Sequence, residues 1–269
     1  MVRWRLSLFW VFLPLFYPVP AAAVYGVLPS GARPSGMAGA FVALADDANS
    51  PLTNPAGMSN RLRAEITGYH TRLYGLEGLS QTMISAVFPA GIGWVGLSVQ
   101  SSGGALYRET TVGFSFSRKI APPALIGLTA RRTTVAIARY CSSGSWSMDA
   151  GLQLRLPSGF RLGIAGNTPD QSGSFIRVGV GRMSEQLGVG IQIDHDPRSG
   201  FTWRLGQEFR PMRFLVLRGG ITAQPSQLFA GCGLNVSNVT IDYSVASHPV
   251  LGATHRFSLS LGIGKERKR

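Results

Sequence analysis

Short runs of alternating apolar and polar residues follow one another from residue 64 to residue 263, with turn residues between them. In the run from Trp146 to Leu156 every second residue is apolar, while Ser147, Asp149 and Arg155 lie on the other face. Alternation with a period of two is typical of a β-strand with one apolar and one polar face, so the chain is predicted to be all-β. About fourteen strands are predicted, over residues 64–72, 81–88, 91–100, 109–118, 124–133, 146–156, 159–166, 173–182, 186–194, 200–209, 213–221, 227–235, 238–246 and 254–263.

The polar faces of these segments favour a closed barrel in a membrane over a soluble sandwich. They consist mainly of Gly, Ser and Thr with one or two charges per strand, whereas the solvent face of a sandwich carries charges freely. Each segment is close to the roughly 9–11 residues that a tilted membrane-spanning strand requires. We therefore predict a transmembrane antiparallel β-barrel over residues 64–264. Its lumen-facing charged residues are predicted to be Arg131, Asp149, Arg155, Arg177, Asp194, Arg204, Glu208 and Asp242.

The beginning of the chain indicates export. Arg3 and Arg5 precede an apolar run over residues 6–17, and residues 21–23 are alanines suited to cleavage. We expect residues 1–23 to be a cleaved signal peptide rather than an anchor, because the run is shorter than the roughly 20 apolar residues that cross a bilayer. A cleaved signal peptide followed by a barrel predicts the outer membrane of a Gram-negative-type bacterium.

Charge and cysteine content limit the partners. The formal net charge of +13 is compatible with nucleic acid, anionic lipid or an acidic ligand. Nucleic acid is not expected for an exported chain without a basic helix or an aromatic-basic motif. The basic residues 265–269 are predicted to form a solvated periplasmic tail, with contact to anionic headgroups as the alternative. Cys141, in a loop, and Cys232, facing lipid, are not expected to form a disulfide.

Residues 24–63 lack this alternation and are predicted to plug the barrel. The Ala-rich stretch 36–49 can form a short helix, and Pro51 and Pro55 exclude a long one. Asn54 is held extended by the proline that follows it, and its amide can donate and accept hydrogen bonds in a polar lumen. A barrel of about fourteen strands is too wide for its own side chains to fill, so we expect this Gly- and Ala-rich segment to fill it.

Both ends of the chain resemble the FadL superfamily of outer-membrane barrels, and most closely its PorV/PorQ-like branch. The sequence from Gly36 to Ala48, continuing to Asn54-Pro-Ala-Gly57, is similar to the N-terminal hatch motif of that family. The sequence from Ser247 to Leu259 is similar to its closing hairpin. The resemblance implies a fourteen-stranded barrel with an N-terminal hatch. The hatch residues that it implies are Gly36, Gly39, Asp46, Asp47, Asn54, Pro55, Ala56 and Gly57.

The resemblance implies two classes of function. FadL-like members move hydrophobic molecules across the outer membrane, whereas PorV-like members serve the type IX secretion machinery. We predict a plugged channel for small hydrophobic or amphipathic molecules. The alternative is a non-transporting barrel that anchors or shuttles partners of a secretion or envelope complex. Expected partners are outer-membrane lipid and the barrel-assembly machinery, together with either a hydrophobic ligand or secretion proteins.

The lumen-facing arginines allow two interpretations. They can hold the carboxylate head group of a ligand, or they can pair with the lumen-facing acidic residues and so fill the barrel; we favour the second. The arginines in question are Arg131, Arg155, Arg177 and Arg204.

Neither a catalytic site nor a metal or cofactor site is predicted. The sequence from Gly91 to Gly96 has the spacing of a dinucleotide fingerprint but lies in no βαβ unit. Residues 194–196, Asp-His-Asp, precede Pro197 and are interpreted as a solvated turn rather than a metal site. His248 and His255 flank the last hairpin, where we expect a structural role. No Gly-x-Ser-x-Gly nucleophile elbow occurs, and the chain is not expected to be an enzyme.

Overall fold

Fourteen antiparallel strands follow one another in chain order and close into a barrel. The computed structural model describes residues 29–140, 142–168, 174–197 and 200–264. The predicted signal peptide, Cys141 and the predicted basic tail lie outside these residues. The strands are β1 Ala64–Arg72, β2 Ser80–Ala90, β3 Gly93–Gly103, β4 Tyr107–Lys119, β5 Ala124–Ile137, β6 Ser142–Arg155, β7 Phe160–Asn167, β8 Ile176–Met183, β9 Leu187–Asp196, β10 Gly200–Met212, β11 Leu215–Ala223, β12 Ser226–Val236, β13 Val239–His248 and β14 Gly252–Ile263.

The predicted all-β barrel of fourteen strands is confirmed. Each strand pairs with its neighbours in the chain, and the ring closes where β1 pairs with β14, from Ala64 opposite Ile263 to Arg72 opposite His255. We call the end of the barrel at which β1 begins and β14 finishes the terminal end. The opposite end is the loop end. Most predicted strand limits fall within a few residues of the observed ones, because turn residues mark each reversal of the chain.

Side chains alternate between the outer and inner faces of the wall. On β6, Trp146 is 68 % exposed, while the neighbouring Ser147, Asp149 and Gln153 are buried. Cys232 lies on the outer face of β12, beside the outward-facing Leu234. Large apolar side chains are exposed on the outer face of every strand from β2 to β14. One from each of these strands is Ile84, Leu97, Phe114, Leu128, Trp146, Ile164, Val178, Ile191, Trp203, Leu217, Leu228, Ile241 and Leu259.

The residues before β1 pack against the inner face of the wall. They contain helix α1, Ala32–Gly36, helix α2, Ser50–Thr53, and a 3-10 helix, Pro55–Asn60. We call residues 29–63 the N-terminal segment. Helix α1 contacts β11–β14, and the 3-10 helix contacts β3–β6. Short 3-10 turns also occur in two connections between strands. They are Leu73–Gly75, Glu77–Leu79 and Pro157–Gly159.

The apolar core of the molecule lies within the barrel and is formed mainly by this segment. Met37, Phe41, Leu44 and Met58 are fully buried. Most large apolar side chains of the wall, by contrast, point outward, and the buried exceptions include Met83, Trp94, Leu125 and Phe229. None of the helices in the described part of the chain is long and apolar enough to cross a membrane.

The predicted short helix over residues 36–49 is wrong. Ala38 and Gly39 have φ angles of 55° and 78°, which lie outside the right-handed helical region. The backbone N–H groups of Phe41 and Val42 instead donate to the Oε1 atom of Gln192 on β9, at 3.0 and 2.8 Å. The wall therefore satisfies backbone groups that a helix would have satisfied internally.

Candidate functional site

Wall glycines allow the backbone of the N-terminal segment to approach the barrel closely. A Cβ atom added at Gly163 would lie 2.6 Å from the Cα atom of Ala43 and would overlap the carbonyl group of Val42. A Cβ atom added at Gly206 would lie 2.8 Å from the Cβ atom of Met37. These glycines lie on the inner face of β7 and β10. At both positions the absence of a side chain leaves room for the backbone of the segment.

Asn54 joins two parts of the segment to the wall. Its Nδ2 atom donates to the carbonyl oxygen of Val42 at 2.9 Å and to that of Leu152 on β6 at 3.2 Å. Its Oδ1 atom accepts from the N–H group of Ala56 at 3.2 Å. The residue is fully buried, and its backbone is extended, with φ −153° and ψ 104°, as the following Pro55 requires. One amide side chain therefore connects three backbone groups.

Replacing Asn54 with leucine is expected to destabilise the folded protein by about 2–3 kcal/mol. The buried carbonyl group of Val42 and the part-buried carbonyl group of Leu152 lose their donor, and the N–H group of Ala56 loses its acceptor. The measurement is the denaturant midpoint of the purified protein in detergent. The control is Asn238→Leu, because the Asn238 side chain is exposed and accepts a hydrogen bond from Arg63 at the surface; it should change stability by less than about 0.5 kcal/mol. Equal midpoints for the two variants would contradict this role of Asn54.

Gln153 on β6 forms a second side-chain clamp on the non-helical stretch. Its Nε2 atom donates to the carbonyl oxygens of Ala43 at 2.7 Å and Ala45 at 3.2 Å. Together with Gln192, which accepts from two N–H groups as described above, it binds backbone donors and acceptors of residues 41–45. Both glutamines are buried. Residues 41–45 are therefore held through their backbone rather than by their side chains.

An arginine of helix α1 binds three carboxylates, two within the segment and one on the wall. Arg33 Nη1 lies 2.8 Å from Asp46 Oδ1 and 3.0 Å from Asp47 Oδ2, and Arg33 Nε lies 2.9 Å from Glu208 Oε2. Glu208 is on β10 and is fully buried. Such charge-assisted bonds are stronger than neutral ones, so Arg33 fixes the beginning of the segment to residues 46 and 47 and to the wall.

The ion-pair network continues along the wall. Arg218 on β11 donates to Glu208 Oε2 at 2.8 Å and to Asp242 Oδ1 on β13 at 2.6 Å. On the opposite side, Arg161 Nη1 of β7 lies 3.4 Å from Asp46 Oδ2. Strands β7, β10, β11 and β13 are thereby connected to the segment by one set of charges. The network borders a cavity of about 340 Å³ at the terminal end.

Arg33 and Asp46, which form an ion pair within the segment, both remain charged. Burial raises the pKa of the Asp46 carboxyl group, but the attraction of Arg33 and Arg161 outweighs burial and leaves the pKa below its usual value. Burial lowers the pKa of Arg33, yet Glu208, Asp46 and Asp47 together raise it well above its usual range. Release of the segment would therefore separate full charges.

The other predicted lumen residues lie on the inner face and pair with one another. Arg131 forms an ion pair with Asp149. Asp194 Oδ2 lies 2.6 Å from Arg204 Nε and 4.0 Å from Arg177 Nε. These contacts correspond to the filling of the lumen by paired charges, the interpretation favoured above for these three arginines.

Two sequence-based interpretations need correction. Arg155 donates to Asn60 Oδ1 of the N-terminal segment at 2.6 Å, so it binds the segment as well as belonging to the wall. The Asp-His-Asp sequence of residues 194–196 is not a solvated turn, because it belongs to β9 and Asp196 is buried. Asp194 faces the lumen, where it pairs with arginine.

The predicted hatch residues are buried apart from Asp46, which is partly exposed. Gly36 lies against Arg218, and Gly57 lies against Ala45 within the segment. Pro55 approaches the wall where a Cβ atom added at Gly127 would lie 2.7 Å from its carbonyl oxygen.

The histidines near the last hairpin have structural partners. His248 Nδ1 accepts from the N–H groups of Val250 at 3.2 Å and Leu251 at 3.1 Å, which stabilises the turn between β13 and β14. His255 Nδ1 lies 2.7 Å from the hydroxyl of Tyr243. Within the described ranges, no group of three or more His, Cys, Asp and Glu side chains is placed to hold a metal ion.

Sequence inspection missed Arg33, Gln153, Gln192 and Arg218 as contacts of the segment. A signal for one of them was present, because Arg33 is the only Lys or Arg between Arg5 and Arg61. A lone cation in an otherwise uncharged stretch that ends in Asp46 and Asp47 indicates an internal ion pair. The two glutamines carry no comparable signal, since each resembles any other polar residue on an alternating strand.

Comparison with known proteins gives the fold. No family model matches the chain, and no curated protein sequence matches it. Among solved structures, the Ralstonia pickettii toluene transporter TbuX aligns with a TM-score of 0.69 at 12 % identity, covering 90 % of this chain and 100 % of that chain. The Pseudomonas putida toluene transporter TodX gives 0.66 at 10 % identity, covering 89 % and 100 %.

A Pseudomonas aeruginosa FadL homologue gives a TM-score of 0.63 at 11 % identity and covers 86 % of this chain and 97 % of that chain. At such identities the likeness concerns the course of the backbone rather than the identity of side chains. The chain therefore has the barrel fold of these FadL-like channels.

Proposed function

We propose that the chain is an outer-membrane channel for small hydrophobic molecules, in which residues 29–63 act as a hatch. Two observations support a membrane location. Strands β2–β14 expose large apolar side chains on the outer face, an arrangement that suits lipid rather than water. A closed barrel leaves no unpaired strand edge in the bilayer. The fold shared with two toluene transporters supports transport of hydrophobic solutes.

The observation that carries the proposal is the set of wall glycines facing the segment. Wherever the segment approaches most closely, the wall contributes no side chain, so the segment rather than the wall fills the lumen. Displacement of the segment would leave an open channel lined by backbone at these glycines and by the polar and charged side chains of the inner face. The wall glycines in closest contact are Gly127, Gly151, Gly163, Gly190, Gly206 and Gly220.

An apolar groove on the outer face of the wall supports the same function. It has a volume of about 650 Å³ and lies where β6 and β7 meet, among Leu128, Met148, Leu152 and Ile164. Asp149 and Asn167, which face inward, also border it. The groove therefore offers a hydrophobic solute a binding surface on the outside of the barrel, close to side chains of the inner face.

Two measurements test the function, using the full chain and a variant lacking residues 29–63. The first is single-channel conductance in planar bilayers, where the full chain should be closed and the variant open. The second is uptake of radiolabelled toluene by Gram-negative cells that produce the full chain, against cells with an empty vector. Circular dichroism must first show that the variant has retained its β-structure. Absence of both conductance in the variant and uptake by the full chain would refute the proposal.

A specific observation favours the alternative of a sealed barrel that anchors secretion or envelope partners, as in the PorV/PorQ-like branch. Exposed apolar side chains occur on consecutive connections at the loop end, which suits a protein contact. These side chains are Leu76, Leu79, Leu106, Tyr140 and Val250. The experiment above separates the two functions, because an anchoring barrel would produce no toluene uptake.

A further inference from the structure

The outward positions of the described strands carry arginine as their only charged residue, histidine apart. These arginines are Arg72, Arg108, Arg118, Arg132 and Arg182. The acidic residues of the same strands all occupy inward positions, namely Glu65, Glu109, Asp149, Asp194, Asp196, Glu208 and Asp242. The outer face of the wall is therefore positively charged, and such a face attracts the anionic headgroups of lipids.

One of these arginines lies over an exposed tryptophan of the next strand. Arg132 on β5 and Trp146 on β6 are directly opposite each other, and Arg132 Cζ is 5.5 Å from the centroid of the Trp146 ring. Gly144 leaves room for this arrangement, because a Cβ atom added there would lie 2.6 Å from Arg132 Nη2. Among the described residues, Arg132 forms neither an ion pair nor a hydrogen bond. The ring therefore positions a guanidinium group whose N–H donors are available to an acceptor outside the barrel.

The apolar groove on the outer face begins next to this pair. On β6, Met148 is the next outward residue after Trp146 toward the terminal end. On β5, Leu128 is the second outward residue from Arg132 in the same direction. Met148 and Leu128 both line the groove, which has a volume of about 650 Å³. A cation and a tryptophan, a residue enriched where a membrane meets water, thus lie at the loop-end mouth of an apolar groove.

A similar pair at the terminal end differs from this one in two respects. Arg182 Cζ on β8 lies 5.4 Å from the centroid of the Phe160 ring on β7. However, Arg182 Nε already donates to the carbonyl oxygen of Ser158 at 3.2 Å, and neither Arg182 nor Phe160 lines the groove. Arg182 is therefore a matched control, an outward arginine over an aromatic ring without an adjoining groove.

We propose that Arg132 and Trp146 bind the phosphate headgroup of an anionic membrane lipid whose hydrocarbon chain lies in the groove where β6 and β7 meet. The planar guanidinium group matches a phosphate through two parallel hydrogen bonds, and the indole N–H is a further donor beside it. A headgroup at the loop end with its chain toward the terminal end belongs to the leaflet at the loop end. This inference rests on the membrane location in the proposed function but not on transport.

The test compares dioleoyl phosphatidic acid with dioleoyl phosphatidylcholine, which has the same chains but no net charge. Binding of each lipid to the purified full chain in detergent is measured by native mass spectrometry. The unsubstituted protein should bind phosphatidic acid about fivefold more tightly, the effect of one arginine near an anionic headgroup. Arg132→Gln should remove this preference, whereas Arg182→Gln should leave it unchanged. Ala150→Phe places a ring in the groove and should weaken the binding of both lipids.

Several results would overturn the proposal. Equal loss of the preference in Arg132→Gln and Arg182→Gln would show a general attraction of the basic wall for anions. Unchanged affinities in Ala150→Phe would show that no lipid chain lies in the groove. Inorganic phosphate should not displace phosphatidic acid, because it has no chain; displacement would show a site for free phosphate instead of a lipid. Failure of toluene uptake together with an Arg132-dependent lipid preference would refute the channel function and leave the lipid site intact.

Discussion

Replacing Gly163 with valine is expected to displace the N-terminal segment and open the barrel to ions. The new side chain would occupy the space of the Val42 carbonyl group and the Ala43 Cα atom, which are backbone atoms that cannot rotate away. Overpacking of this kind costs about 1–3 kcal/mol or more. We expect a single-channel conductance in planar bilayers that the unsubstituted protein lacks, together with faster proteolysis of residues 29–63.

The matched control is Gly68→Val. Gly68 lies on β1, and a Cβ atom added there meets nothing within 4 Å. Valine is well suited to an outward-facing strand position, so this variant should remain closed and as stable as the unsubstituted protein. A closed, protease-resistant Gly163→Val protein would show that the segment and the wall are not in the close contact described above.

Replacing Arg33 with methionine is expected to have the second large effect. The change keeps much of the apolar volume but leaves Glu208, Asp46 and Asp47 without their shared cation. Removing one partner of a buried ion pair costs about 3–5 kcal/mol where the remaining charge has no other counter-charge. Here Glu208 keeps Arg218 and Asp46 keeps Arg161, so we expect a loss of about 2–3 kcal/mol. We expect a lower denaturant midpoint and intermittent conductance, since α1 loses its attachment to β10.

The control for this substitution is Arg63→Met. Arg63 bonds to Asn238 in an exposed contact at the terminal end, and such surface contacts contribute little. Arg33→Lys provides a further comparison, because it keeps the charge but loses the forked geometry that reaches several carboxylates. If Arg33→Met and Arg63→Met had the same stability and the same closed state, the network would not be what holds the segment.

Sequence alternation predicts the wall well, because each strand has one apolar outer face and one face toward a polar lumen. The prediction holds even for β1, Ala64–Arg72, where the alternation is weak. The turns are predicted equally well, because sequences such as Pro157-Ser-Gly159 and the stretch around Pro89 mark the points where the chain reverses direction. The pairing of Arg131 with Asp149 follows from the same logic, because opposite charges at neighbouring inward positions of adjacent strands lie close together.

The interior of the N-terminal segment could not be predicted in this way. Its backbone conformation depends on tertiary partners, above all Gln153 and Gln192, which replace the hydrogen bonds of a helix. Propensity alone favours helix for the Ala-rich stretch, whereas positive φ angles at Ala38 and Gly39 exclude it. The partner of Arg155 was unpredictable for the same reason, because Asn60 reaches it only through the folded segment.

The position of the segment also imposes an order of assembly on the chain. The segment touches the inner face of strands from β3 to β14 and leads directly into β1, which closes the ring with β14. A barrel that closed while empty would have to admit the 35 residues of the segment through one end, and its glycines would then have to match the backbone of the segment. Pairing of β1 with β14 is therefore expected as the last step, after the wall has curled around the segment. The N-terminal segment, which is synthesised before the strands, is thus expected to serve as the template around which the strands assemble.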